Sequence, residues 1–227
     1  MRTILTLCLI QALTAGAYAA EIALSFDDAP QPGGWSLTGT ERTERFIKVL
    51  REKGVPPVVF YANPRGEQEE TLSRLLKYGE AGHVIANHTN DHPDLGAVSG
   101  KEFVQSIATA DAALTPIPNY KKWFRYPYLN EGQDAEQKRY FVKNYLKQNG
   151  YRSGYITIET FDWYIDDHIN TETKQGNPVD KSHWIQFYIA MIVELIEFYD
   201  NLALEVLGRS PVHVILLHEN DDLSQKG

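Results

Sequence analysis

Short, mostly continuous apolar runs alternate with amphipathic stretches along almost the whole chain. Runs at 22–26, 57–61, 83–86, 123–125, 155–158 and 212–217 read as strands. Between them, 40–53, 67–78, a stretch opening at Ser99, 134–148 and 179–207 carry helical spacing, the last as one long helix or two consecutive ones. In 40–53, Phe46, Val49 and Leu50 share a face and Gly54 ends the pattern. Ser99 and Glu102 have the spacing of a capping box. Strands that are apolar throughout, rather than at every second residue, belong to sheets covered on both faces. Strand and helix in strict alternation imply crossovers and hence a parallel sheet.

A closed barrel and an open doubly wound sheet both satisfy that pattern. Polar residues decide between them. Asp27 and Asp28, His88, Asp162 and His218 each follow the end of a different run, and Arg125 ends another. Functional groups from many strand ends converge on one rim of a barrel. An open sheet gathers ligands at a single switch point. The expectation is therefore an α/β chain folded as a (β/α) barrel.

Residues 1–20 read as an export leader. Arg2 supplies the basic start, 4–13 is an apolar run too short to span a bilayer, and Ala17-Tyr18-Ala19 offers small residues for cleavage. A first core element is the competing reading, but Glu21 opens a better strand. Cys8 is the single cysteine and lies in this leader. Export to the periplasm or the exterior follows, with no stable membrane insertion after cleavage. A cysteine-free mature chain uses neither disulfides nor thiols, so any metal site must be built from His and carboxylates. The net charge of −8 leaves no basic excess to displace counterions from a phosphate backbone, so no nucleic-acid partner is expected.

Several segments carry possible chemistry. In Ser25-Phe26-Asp27-Asp28-Ala29-Pro30 two adjacent carboxylates point in different directions. One can hold a metal while the other serves as a base, although Asp and Pro also make ordinary turns. In Asn87-His88-Thr89-Asn90-Asp91-His92-Pro93 two imidazoles four residues apart would share one side of a helical turn. Such a pair is often incidental. Joined by a strand-end carboxylate, it becomes a two-His, one-carboxylate site with room for water. Arg125, in Arg125-Tyr126-Pro127-Tyr128, can grip a carboxylate in a bidentate pair, or be a surface arginine. Trp163, after Asp162, offers a wall for a sugar face, or is a core residue. His218 ends the last run, as a site residue or a plain strand end.

Taken in order, these segments closely resemble the five motifs of the polysaccharide deacetylase family, also called NodB-like or carbohydrate esterase family four. The matching residues are 25–30, 88–93, 125–128, 162–163 and 216–218, and they span nearly the whole mature chain. The resemblance implies a distorted (β/α) barrel of about seven strands, with 21–227 as one NodB homology catalytic domain. It implies Asp28, His88 and His92 as ligands of a divalent metal, zinc foremost, with cobalt, manganese and nickel as alternatives. It assigns Asp27 as general base and His218 as general acid, with Asp162 tuning His218 and Arg125 orienting Asp27. Tyr128 would present its backbone N–H to an oxyanion, and Trp163 would line an acetyl pocket.

The implied reaction is hydrolysis of a linear, non-peptide amide: removal of N-acetyl groups from N-acetylglucosamine polymers or oligomers such as chitin oligomers, peptidoglycan or exopolysaccharide. An O-acetyl esterase on xylan-like polymers, a small-amide hydrolase and a non-catalytic glycan-binding protein remain alternatives. Ala29 and Glu219 depart from the family's usual glycine and aspartate. After His218 and Glu219 only 220–227 remain, polar except for Leu223. The resemblance thus leads to an expected shortening at the C-terminus that would leave the run at 212–217 exposed.

Overall fold

The computed structural model describes residues 20–32, 37–65, 69–133 and 135–220. The expected leader, apart from Ala20, and the tail at 221–227 lie outside the described residues. The elements in order are β1 (Glu21–Ala29), α1 (Gly39–Glu52), β2 (Val59–Ala62), α2 (Glu69–Glu80), β3 (Val84–Asn87), α3 (Gly100–Leu114), β4 (Tyr120–Phe124), α4 (Glu136–Gln148), β5 (Arg152–Ser153), β6 (Ile158–Glu159), α5 (Asp162–Lys174), α6 (Lys181–Leu207) and β7 (Val212–His218). The strands form one seven-stranded sheet in the order β5-β4-β3-β2-β1-β7-β6, and every neighbouring pair is parallel. The sheet curls into a half-barrel whose edges, β5 and β6, are consecutive in sequence. This is the seven-stranded distorted barrel expected from the motifs.

Local chemistry explains the helix ends. The Ser99 side chain accepts from the Glu102 amide, and the Glu102 carboxylate accepts from the Ser99 amide, so α3 opens on the anticipated capping box. Thr38 and Glu41 do the same for α1. Gly54, at φ +65°, turns the chain out of α1 at little steric cost. One core cluster packs Phe26, Phe60, Ile85 and Ile215 of the sheet against Phe46, Leu75, Tyr78 and Ile169 of the helices. A second sets Phe124 against Phe103, Ile107 and Val142. Among the described residues, no helix is long and apolar enough to cross a membrane.

Three expectations are corrected. The strand at 155–158 is instead two short strands, at 152–153 and 158–159. Helix α5 has no counterpart among the expected elements, because Ile165 and Ile169 are its only buried apolar residues. The run at 212–217 is not left exposed. It is β7, an interior strand between β1 and β6, with Ile215, Leu216 and Leu217 buried.

Candidate functional site

The C-terminal ends of β1, β3, β4 and β7 and the start of α5 meet around one cavity of about 720 Å3. Asp27, Asp28, His88, His92, Tyr128, Trp163 and His218 all line it. Strand-end residues thus gather where parallel strands deliver them.

Asp28, near the end of β1, has a left-handed backbone at φ +57°, and its carboxylate and that of Asp27 both face His88 Nε2, at 3.6 and 3.7 Å. Asp28 Oδ1 lies 3.1 Å from His92 Nε2 and 3.6 Å from His88 Nε2. One ligand atom each from Asp28, His88 and His92 falls within 4.8 Å of the others. The two histidines do not share a helical turn, as their spacing had suggested. They sit on an irregular loop in which Thr89 (φ +69°) and His92 (φ +56°) are left-handed, and those two reversals bring the rings together. Their centroids are 5.0 Å apart.

This donor set fits a divalent ion. Ligand atoms around one small ion are ~3–3.5 Å apart, close to the separations from Asp28. Asp28 Oδ1 is buried without a hydrogen-bond partner, and such an atom calls for an explanation. His88 Nδ1 donates to the Arg125 carbonyl at 2.8 Å, which leaves the Nε2 lone pair toward Asp28. Burial, only partly offset by Asp28, pushes His88 down to about 3, so its ring is neutral as a ligand must be. Burial likewise lowers His92.

Asp27 is 3% exposed and takes Arg125 Nη1 on Oδ1 at 2.5 Å. Burial raises its carboxyl above the usual range, against the lowering effect of the Arg125 charge. The expected bidentate grip is not present. Only Nη1 reaches Asp27, while Nε donates to the Gly154 carbonyl and Nη1 also to Ser25 Oγ. The guanidinium lies over the Tyr61 ring at 3.9 Å.

Opposite stands His218. Its Nδ1 donates to Asp162 Oδ1 at 2.7 Å, and its backbone N–H to Asp162 Oδ2 at 2.6 Å. Burial alone would lower this imidazole. The hydrogen bond and charge of Asp162, with the charges of Asp27 and Asp28, lift it to about 9. Asp162 is fully buried and also accepts from the Trp163 amide and from Asn220 Nδ2. The Trp163 ring is 49% exposed on the cavity wall. Tyr128, at φ +57°, sets its ring against His92 with centroids 4.5 Å apart.

The motifs had assigned no role to several supporting residues. Glu219 is buried and accepts from Arg74 Nη2, the Tyr78 hydroxyl and the Gln31 amide, so it ties the cavity rim to α2. Asn63 and Asn87 brace the histidine loop. Both asparagines end apolar strands, the signal that also picks out His88. Arg74 and Tyr78 sit mid-helix and carry no comparable signal.

A family model described as polysaccharide deacetylase matches residues 17–153. A peptidoglycan-N-acetylglucosamine deacetylase of Bacillus cereus is 30% identical over 145 residues, 63% of this chain and 46% of that protein. A chitooligosaccharide deacetylase of Azorhizobium caulinodans is 27% identical over 146 residues, 63% of this chain and 61% of that protein. The chain thus spans about half the length of these curated relatives. Among solved structures, a polysaccharide deacetylase from Bacillus cereus superposes with a TM-score of 0.62 at 17% identity, covering 91% of this chain and 82% of the other. The chitin deacetylase of Colletotrichum lindemuthianum gives 0.58 at 20% identity, covering 90% and 78%. At such identities these likenesses concern the fold alone. Asp162, Trp163 and His218 lie beyond the segment matched by the family model.

Proposed function

The chain belongs to the polysaccharide deacetylase family, and on that premise we propose that it hydrolyses N-acetyl groups from N-acetylglucosamine-containing oligo- or polysaccharides, releasing acetate. The names of the relatives support that substrate class. The observation that carries the reading is one cavity rim holding a two-His, one-carboxylate cluster, an ion-paired carboxylate beside it and a carboxylate-backed histidine opposite.

In this reading Asp28, His88 and His92 hold a divalent ion, zinc foremost, with cobalt, manganese and nickel as alternatives. Bound there, such an ion supplies Lewis-acid polarisation of an acyl oxygen and acidifies a water molecule. Asp27 is the general base. Burial raises its carboxyl pKa and so makes it the stronger base, and Arg125 fixes its orientation. Attack of water on the acetyl carbon places negative charge on the carbonyl oxygen, toward which Tyr128 offers its backbone N–H. His218, protonated because Asp162 backs it, gives its proton to the departing sugar nitrogen. Trp163 lines the pocket for the acetyl group. The C–N bond breaks, and acetate and a free amino sugar leave. Residues 21–227 form the catalytic domain, and 1–20 direct export.

Acetate release from N-acetylglucosamine oligomers, with and without a chelator, tests this. Turnover should vanish with the chelator and return with added zinc. Chelator-insensitive turnover would remove the metal assignment. Acetate from acetylated xylan but not from the oligomers would make the chain an esterase. No acetate from either substrate, with or without zinc, would leave a binding protein.

A further inference from the structure

Three strand ends supply the candidate ligands' neighbourhood, and Asn63, at the end of β2, stands between two of them. Its backbone N–H donates to the Ala29 carbonyl at 2.9 Å, one residue past Asp28. Its side-chain Nδ2 donates to the His88 carbonyl at 2.5 Å and to the Thr89 carbonyl at 3.0 Å. The Thr89 hydroxyl then accepts from the His92 amide at 3.1 Å. One residue therefore touches the backbone next to Asp28, the backbone of His88, and the residue that holds His92.

We propose that Asn63 is a positioning residue whose side chain sets His88 and His92 toward Asp28, an inference that rests on the metal-hydrolase reading above. Two features favour this over a plain loop brace. Thr89 is β-branched and left-handed, a conformation that persists only when its surroundings over-determine it. Asn63 grips its carbonyl while Asn87 Oδ1 takes its amide at 2.8 Å. The grip lies next to His88 and pre-forms the reversal that carries His92 back over Asp28. Second, Asn63 is 1% exposed, yet its Oδ1 is buried without a hydrogen-bond partner. A residue selected for stability alone would not bury an oxygen at that cost. Its value lies in the two N–H groups aimed at the ligand loop.

Residues that orient metal ligands typically cost roughly 10–100-fold in metal affinity when removed. Zinc affinity of the whole protein, by competition with a chromophoric chelator, should therefore weaken by about that factor in Asn63→Ala. Asn63→Asp keeps the shape but faces two carbonyl oxygens without a donor, and should weaken at least as much. With cobalt in place of zinc, the visible absorption of either variant should shift, since the ligands would meet the ion differently. Leu146→Ala, in the second core cluster and not among the residues that line the cavity, is the destabilised control. It should melt earlier while binding zinc as the unaltered protein does. If Asn63→Ala does not fold, Asn63→Ser, with one donor left, should fall between it and the original.

Equal zinc affinity in the Asn63 variants and the unaltered protein would overturn the proposal. So would an affinity loss in Leu146→Ala matching that of Asn63→Ala, because it would make the effect one of stability. Failure of the unaltered protein itself to bind zinc would instead overturn the hydrolase reading on which the proposal rests.

Discussion

His88 and His218 face the same cavity from opposite walls, both largely buried, and their surroundings drive them in opposite directions. His88 is pushed down to about 3 and His218 is lifted to about 9. Burial lowers both. The contrast lies mainly in what each Nδ1 meets: the Arg125 backbone carbonyl for His88, the Asp162 carboxylate for His218. A neutral acceptor leaves a lone pair for a ligand bond, whereas an anionic one stores a proton for transfer. Where surroundings separate the pKa values of paired groups so widely, the roles separate too. The two walls also differ in how far the family model reaches. The family model matches 17–153, which contains the first wall, and the second lies wholly beyond it.

The largest test breaks the first wall at its two adjacent carboxylates. Asp28→Asn should abolish measurable metal binding and lower acetate release by about 10^4-fold, the scale of a lost Lewis acid. Asp27→Asn should bind metal normally yet lose about 10^2- to 10^4-fold in turnover, the scale of a lost general base. Metal titration and single-turnover acetate release measure the two separately. If Asp27→Asn lost the metal and Asp28→Asn kept it, the assignment of the pair would be reversed.

A smaller effect is expected where the second wall is made to resemble the first. Asp162→Asn replaces the anionic partner of His218 with a neutral one. If His218 is the proton donor proposed above, it works below its pKa, and turnover should fall as pH rises through about 9. In the variant that limb should move toward the ordinary imidazole value near 6.5, costing roughly 10-fold or more at pH 8 and much less at pH 6. Stability follows the same sign. A raised folded-state pKa contributes stability that is full below 6.5 and lost as pH passes about 9. The deficit of the variant in thermal melting should be greatest at pH 6 and shrink above pH 9. An unmoved alkaline limb would assign the leaving-group proton to another donor.

What could be read beforehand differs between the walls for physical reasons. Apolar runs disclosed the sheet, because a strand covered on both faces has no polar side to show. Helix α5, which carries the second wall, was invisible because Asp162–Lys174 is polar except at a few positions. The spacing of His88 and His92 brought the two rings together, but by the wrong geometry. A helical turn was expected, and the left-handed residues Thr89 and His92 do the work. Backbone reversals at non-glycine residues leave no trace in composition. The contact of Arg125 with Asp27 was anticipated but not its single-nitrogen geometry: Nε turns to Gly154, Nη1 also serves Ser25, and Nη2 is buried without a hydrogen-bond partner. The Arg74–Glu219 pair joins residues 145 apart, a partnership that no local pattern encodes.

The smallest expected effect separates the side chain of Trp163 from its backbone. Its N–H donates to Asp162 Oδ1 at 2.9 Å and survives any replacement except proline. Its ring projects half-exposed into the cavity. Trp163→Ala should therefore leave His218 and its pH limb unchanged and remove only an apolar surface from the substrate. An aromatic contact of this kind is worth about 0.5–1.5 kcal/mol, or roughly 2- to 12-fold. That loss should appear in KM, with kcat within about 3-fold of the original, because uniform binding stabilises ground state and transition state alike. If kcat fell and KM held, the ring would act only once the acetyl carbon is under attack. The second wall would then hold the reacting group as well as supply its proton, and it would no longer be the simpler of the two.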